Sequence, residues 1–264
     1  MTECSIMVAL STVLSLIKII DMPYGGSVTI GAMLPIVIAV YRHGMAWGIG
    51  AALVNATIQL LLGLNNLSFF TTWQSIVAII LLDYIIAFGV FALAGVFKKI
   101  EKRQNYALLY GILLASLLRY LCHVISGATV WAGLSIPTEA ATVYSLSYNA
   151  TYMIPETIVL AALGIYIGSV IDFKSKVPTR IKAMQMNKCE VYARLGAGLS
   201  AIAAVIADVC ILFPHMQDPE SGEFVFSHLG EANLTLLAVL TAVGVILTAG
   251  LMIFAKFYKR SIEK

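Results

Sequence analysis

Five ionisable side chains stand inside long apolar stretches of this sequence: Asp83, Arg119, His123, Glu156 and Asp208. Charged groups at membrane depth are costly, so each marks a functional position by default. Arg119 and His123 are four residues apart and share one helix face, which Gly127 extends and opens to close approach. Arg119 could also neutralise Asp83 or Glu156 and simply hold helices together. Asp208 reads as structural. Tyr24, Trp73, Tyr84, Trp131, Tyr144 and Asn149 fall near the ends of the same stretches. A lone aromatic there belongs to the interfacial belt. Asp83, His123 and Asn149 at the same level, among several rings, suit a flat cation instead. Each cation–π contact contributes about 0.5–2 kcal/mol, and a hydrogen bond to a carboxylate adds about 1.5–3 kcal/mol.

The composition says what positions these groups. Of 264 residues, 60% are hydrophobic and only 12% charged, against roughly 45–50% and 25% in soluble domains. The chain is an all-α polytopic membrane protein, with the lipid bilayer as its surroundings. Eight apolar runs are long enough to be read as spans: 4–20, 27–41, 46–63, 74–97, 106–127, 141–171, 191–213 and 231–255. The second is short and starts in Gly25-Gly26-Ser27, so it is expected to be tilted or partly unwound. Pro155 should kink the sixth. Continuous rather than alternating hydrophobicity disfavours membrane strands.

Fifteen of the seventeen basic residues fall in alternate loops: Arg42, residues 98–103, residues 174–194 and the tail. The intervening loops carry Asp21, Glu139, Asp218, Glu220 and Glu223, with Lys18 at a helix end. The positive-inside rule then puts both termini in the cytoplasm. Acidic outer loops disfavour an anionic substrate. The polar stretch 173–190 divides a six-helix body, residues 1–172, from a two-helix extension, residues 191–264.

Enzyme motifs such as HExxH, GxSxG and Walker A are absent, so the chain reads as a non-enzyme that cannot drive uptake by its own ATP hydrolysis. Cys4, Cys122, Cys189 and Cys210 lie far apart and form neither a disulfide framework nor a zinc site. No cofactor, metal or nucleic acid is expected. Ser5 and Ala9 give the first helix a small-xxx-small face suited to close helix packing, within the chain or against a partner.

Several blocks together resemble a known family: TECSIMVALSTVLSLIK at 2–18, GGSVTIGAMLPIVIAVYRHG at 25–44, LLDYIIAFGVFALAGVF at 81–97, LLRYLCHVISGATVW at 117–131 and VYSLSYNATYMIPE at 143–156. Asp83-Tyr84, His123 with Trp131, and Tyr144 with Asn149 occur in the family's order. The chain is similar to the thiamine-specific substrate-binding subunit (S component, ThiT/YuaJ-like) of energy-coupling factor (ECF) transporters. The resemblance implies a six-helix body with thiamine near the outer face, capped by the loop between the first two helices. It places Asp83 against the aminopyrimidine or the positive charge, and Trp131 and His123 beside the rings. Tyr144 and Asn149 would bond polar edges, Tyr84 would contribute more weakly, and Trp73 would face the hydroxyethyl arm. Ser5 and Ala9 would dock on the transmembrane coupling subunit, with two ATPase subunits driving uptake across the bacterial plasma membrane. Gly26–Ile30 lacks the Trp and Glu that some members carry there, and residues 173–264 have no family counterpart. The residues alone leave a second reading open, a stand-alone ion-coupled carrier for thiamine or a related cationic or pyrimidine compound. An intramembrane enzyme using His123 and Glu156 is disfavoured by the missing motifs.

Overall fold

A computed structural model describes residues 1–22, 25–132, 141–181, 188–216 and 227–262. The chain opens with α1 (Thr2–Leu16) and then leaves helical geometry. β1 (Lys18–Asp21) pairs antiparallel with β2 (Ser27–Thr29), in the register Lys18↔Thr29, Ile20↔Val28 and Asp21↔Ser27. Gly25 and Gly26 make the return with φ of 92° and 97°, a left-handed region that glycine enters at little cost. α2 (Leu34–His43) has Pro35 in its first turn, where a missing N–H leaves no bond unmade. α3 (Met45–Leu62) follows, then a short 3-10 segment, Leu64–Phe69.

α4 (Trp73–Lys98) is irregular by design of its hydrogen bonds. Thr72 caps it by accepting from the Ser75 N–H. Residues Ile80–Ile86 widen into a π-helical turn, and Val90–Lys98 tighten into 3-10 geometry. α5 (Gln104–Thr129) and α6 (Ala141–Val170) complete the first group of helices. Pro155 lies inside α6, which stays continuous around it. A two-residue ladder, β3 (Ile171–Asp172) with β4 (Thr179–Arg180), ends this part. α7 (Lys188–Leu212) and α8 (Leu234–Ile262) follow.

Among the described residues, six helices are long and apolar enough to cross a membrane: Met45–Leu62, Trp73–Lys98, Gln104–Thr129, Ala141–Val170, Tyr192–Leu212 and Leu234–Tyr258. The first two expected spans, 4–20 and 27–41, are therefore corrected. The hairpin takes residues 18–20 out of the first and 27–29 out of the second, and the helices that remain have 15 and 10 residues. At about 1.5 Å per residue these are shorter than the roughly 30 Å hydrocarbon core.

The contacts divide the chain into Met1–Ile181 and Lys182–Lys264. In the first unit α2 is the centre. Ile36, Val37, Ala39, Val40 and Tyr41 are all fully buried, as expected of a helix that is apolar all round. α1, α3 and the end of α4 pack on it, and α5 lies along α6. Gly111 lets α5 approach the Ala94 carbonyl of α4 so closely that a Cβ there has no room. Residues 173–181, read above as linker, belong to this unit. Phe173 is buried and donates its N–H to Gln104 Oε1 at 2.9 Å. Arg42 donates to the carbonyls of Phe173, Ser175 and Lys176. In the second unit α7 and α8 are joined by Ser200–Thr248 at 2.8 Å and by Thr241 donating to Asp208 at 2.8 Å, which gives Asp208 a structural partner.

Candidate functional site

A cavity of about 290 Å³ opens in the first unit, walled by α4, α5, α6, the hairpin and the end of α3. Asp83, Tyr84, His123, Trp131, Tyr144 and Asn149 all line it. Trp73 does not: it starts α4 with 69% of its surface exposed. Ser5 and Ala9 lie on the exposed face of α1, away from the core. Tyr24 and Glu139 are outside the described residues.

Asp83 sits in the π-helical turn of α4, the kind of local widening that often accompanies function. Three donors converge on its carboxylate. His123 Nδ1 is 2.9 Å from Oδ1, Ser126 Oγ donates to Oδ2 at 2.8 Å, and Trp131 Nε1 donates to Oδ2 at 3.1 Å. His123 and Ser126 are one turn apart on α5, and Trp131 follows its end. The indole is held in turn by Phe69 and Phe70, with ring centroids 5.9 and 4.7 Å away.

Arg119 stands behind His123. Its Nε donates to His123 Nε2 at 3.3 Å and its Nη1 to Glu156 Oε2 at 2.9 Å. Its guanidinium lies over the Phe88 ring, 4.6 Å from the centroid. The second oxygen of Glu156 accepts from Thr29 Oγ1 of β2 at 2.9 Å. Arg119 and Glu156 are both buried, so their pairing offsets the desolvation of each. Lys18 and Asp21 also line the cavity and pair with each other at 2.9 Å. The two ion pairs satisfy each other, and the remaining carboxylate of the described lining is Asp83, beside the His123 imidazole.

The α6 wall is aromatic. Tyr144, Tyr148 and Tyr152 recur every fourth residue, on one face. Tyr144 and Tyr148 are stacked at 6.4 Å, and Tyr152 meets the His123 ring at 6.5 Å edge-on. Two of these rings also tie the site together. Tyr148 donates to the Gly25 carbonyl at 2.8 Å, fastening the hairpin to α6. Tyr152 donates to Asn149 Oδ1 at 2.7 Å, while Asn149 Nδ2 donates to the Ser145 carbonyl at 2.9 Å. Tyr84 donates to the Gly63 carbonyl at 3.2 Å and accepts from Asn66.

Sequence reasoning passed over Tyr148, Tyr152 and Thr29. The four-residue spacing from Tyr144 is a signal that could have found the two tyrosines. Nothing local marks Thr29, which is 127 residues from Glu156.

The model of the thiamine transporter protein family (Thia_YuaJ) matches residues 1–174. The chain belongs to this family. Among curated relatives of the Thia_YuaJ family, "Thiamine transporter ThiT" of Bacillus subtilis (strain 168) is 34% identical over 170 residues, covering 60% of this chain and 84% of the relative. The solved structure of ThiT from Listeria monocytogenes is similar in fold. It superposes with a TM-score of 0.50 at 20% identity, over 63% of this chain and 91% of that one. The family match ends at residue 174, short of Ile181 where the first structural unit closes, and it leaves residues 175–264 unmatched.

Proposed function

We propose that this chain binds thiamine in the cavity around Asp83, as the membrane-embedded binding subunit of an ECF-type uptake transporter. The observation that carries the reading is the carboxylate of Asp83 amid aromatic rings, in a chain of the thiamine transporter family. Three donors occupy part of the carboxylate's roughly four acceptor directions and leave Oδ1 able to take an amino group. The Asp83 carboxylate complements a cationic ligand. Asp83 takes the aminopyrimidine or the cationic ring, His123 and Trp131 flank the rings, and Tyr144, Asn149 and Tyr84 bond polar edges. Trp73 is exposed and does not line the cavity, so it is dropped from this assignment.

The subunit hands its ligand across the bacterial plasma membrane together with a separate transmembrane coupling subunit and two ATPase subunits. The exposed Ser5 and Ala9, flanked by exposed Ile6 and Leu10, support α1 as the docking face. Both termini lie in the cytoplasm by the distribution of basic loops. The protein binds and carries its ligand without converting it. A stand-alone ion-coupled carrier draws less support, because Glu156 and Arg119, two of its candidate coupling groups, are paired with each other.

Titration of the detergent-solubilised full chain with thiamine, followed by tryptophan fluorescence, tests the reading. Trp131 should report a saturable change at nanomolar concentration, about −12 kcal/mol. A folded sample that shows no binding by fluorescence or calorimetry up to millimolar thiamine would overturn it.

A further inference from the structure

We propose that Arg119 is a positioning residue of the binding site. It holds His123 as the Nδ1–H tautomer with both ring nitrogens occupied, so the ligand meets the imidazole by its face alone. This rests on the reading of the cavity as the thiamine site.

The argument starts from donor chemistry. A guanidinium only donates. Arg119 Nε points at His123 Nε2 from 3.3 Å, so Nε2 is the acceptor and the ring proton sits on Nδ1. Nδ1 faces Asp83 Oδ1 at 2.9 Å, and a carboxylate only accepts. The two assignments agree, and each fixes the other. The ring is pinned from α4 by Asp83 and from its own helix by Arg119, while Tyr152 of α6 touches it edge-on. Neither nitrogen is left to bond a ligand.

Arg119 is itself held by Glu156 and Phe88. Glu156 takes Nη1 at 2.9 Å, Phe88 lies under the guanidinium plane, and Glu156 is steadied by Thr29. The planar fork matters here. One group must serve Glu156 and His123 at once, from Nη1 and Nε. A lysine ammonium is a point donor on a flexible stem and cannot span both. The chain Asp83–His123–Arg119–Glu156–Thr29 therefore joins α4, α5, α6 and the hairpin through one guanidinium. The bland alternative is an ion pair that only clamps α5 to α6. That alternative needs Nη1 but has no use for the Nε bond to His123.

The test reads the histidine directly. The full chain is labelled with ¹⁵N-histidine in detergent, and His123 is assigned with a His123→Gln control. The expected spectrum shows a protonated Nδ1 and an unprotonated, hydrogen-bonded Nε2. A proton on Nε2 in the wild type overturns the proposal. Arg119→Lys keeps a cation for Glu156 and loses the Nε bond. Its Nε2 resonance should move downfield, and thiamine affinity should fall about tenfold. An unchanged resonance with wild-type affinity overturns the proposal. If Arg119→Lys does not fold, the double variant Arg119→Met/Glu156→Met removes the pair without stranding a charge, and the same two readouts apply. A wild type that shows the expected tautomer but binds no thiamine would sink the ligand assignment while leaving the tautomer assignment supported.

Discussion

The indole nitrogen of Trp131 donates to Oδ2 of Asp83 at 3.1 Å, across 48 positions of chain. An aromatic wall and the negative charge of the cavity are thus one hydrogen-bonded unit. A ligand that bonds the carboxylate necessarily lies beside the ring, and one that displaces the ring must replace its hydrogen bond.

Asp83→Asn should cost about 10–100-fold in thiamine affinity. The amide has the carboxylate's shape but no charge. It also has one oxygen where the site supplies three donors, so its NH₂ must face at least one of His123, Ser126 or Trp131. Hydrogen bonds to a charged group are worth about 1.5–3 kcal/mol, and that sets the range. Calorimetric titration of the purified variant measures it. An affinity equal to wild type would remove Asp83 from the site.

Glu156→Ala should destabilise the protein far more than the double change Arg119→Met/Glu156→Met. Breaking a buried pair on one side costs about 3–5 kcal/mol, because the surviving charge is stranded, while replacing both partners with apolar groups is often neutral. Both side chains here are about nine-tenths buried, 10% and 8% exposed. Thermal unfolding in detergent, compared between the two variants, decides the matter. Equal melting temperatures would mean that solvent or lipid headgroups reach the pair.

Much of this site was legible because the cost of burying charge makes ionisable residues conspicuous in an apolar sequence. Asp83 and His123 stood out for that reason, the Asn149 amide was grouped with them by its level along the helices, and the structure brings all three to one cavity. The pairing of Arg119 was narrowed to Asp83 or Glu156 but not chosen, since spacing along separate helices does not fix their rotation. Hydropathy failed at residues 18–29. Ile19, Ile20, Val28 and Ile30 are as apolar as a span, and apolarity alone cannot separate the end of a helix from a hairpin. The cues were Lys18, Asp21 and the Gly25-Gly26 pair. Trp73 was grouped by its type and position, but its place on the first turn of α4 turns it outward.

Gly26→Ala should loosen the hairpin that lines the cavity. The φ of Gly26 is 97°, and a Cβ there would come within 2.8 Å of the Tyr152 ring. Left-handed backbone costs an L-residue about 1–2 kcal/mol, and Tyr152 is held by Asn149 and cannot retreat freely. The hairpin must move instead, straining the Tyr148 bond to Gly25. Thiamine dissociation should quicken by about 5–30-fold, the equivalent of that strain. Stopped-flow fluorescence of Trp131 reads this directly. An unchanged off-rate would show that the hairpin does not retain the ligand.

Where the binding body ends makes a sharper prediction than its helix count. A chain cut after Ile181 should bind thiamine as the full chain does, and one cut after Asp172 should be markedly less stable. The first unit closes through residues beyond 172. Gln104 Nε2 donates to the carbonyls of Gly168 and Ile171, and its Oε1 accepts from the Phe173 N–H. Arg42, paired with Glu3 of α1, spends its other N–H groups on the carbonyls of Phe173, Ser175 and Lys176. Cutting at 172 removes the buried Phe173 ring and leaves Arg42 short of acceptors. Cutting at 181 disturbs neither, and it also spares the β3–β4 ladder. Thiamine titration and thermal unfolding of the two truncations test the claim together. If the shorter piece matches the longer in stability, the Arg42 cluster contributes nothing; if neither binds, α7 and α8 are needed by the site.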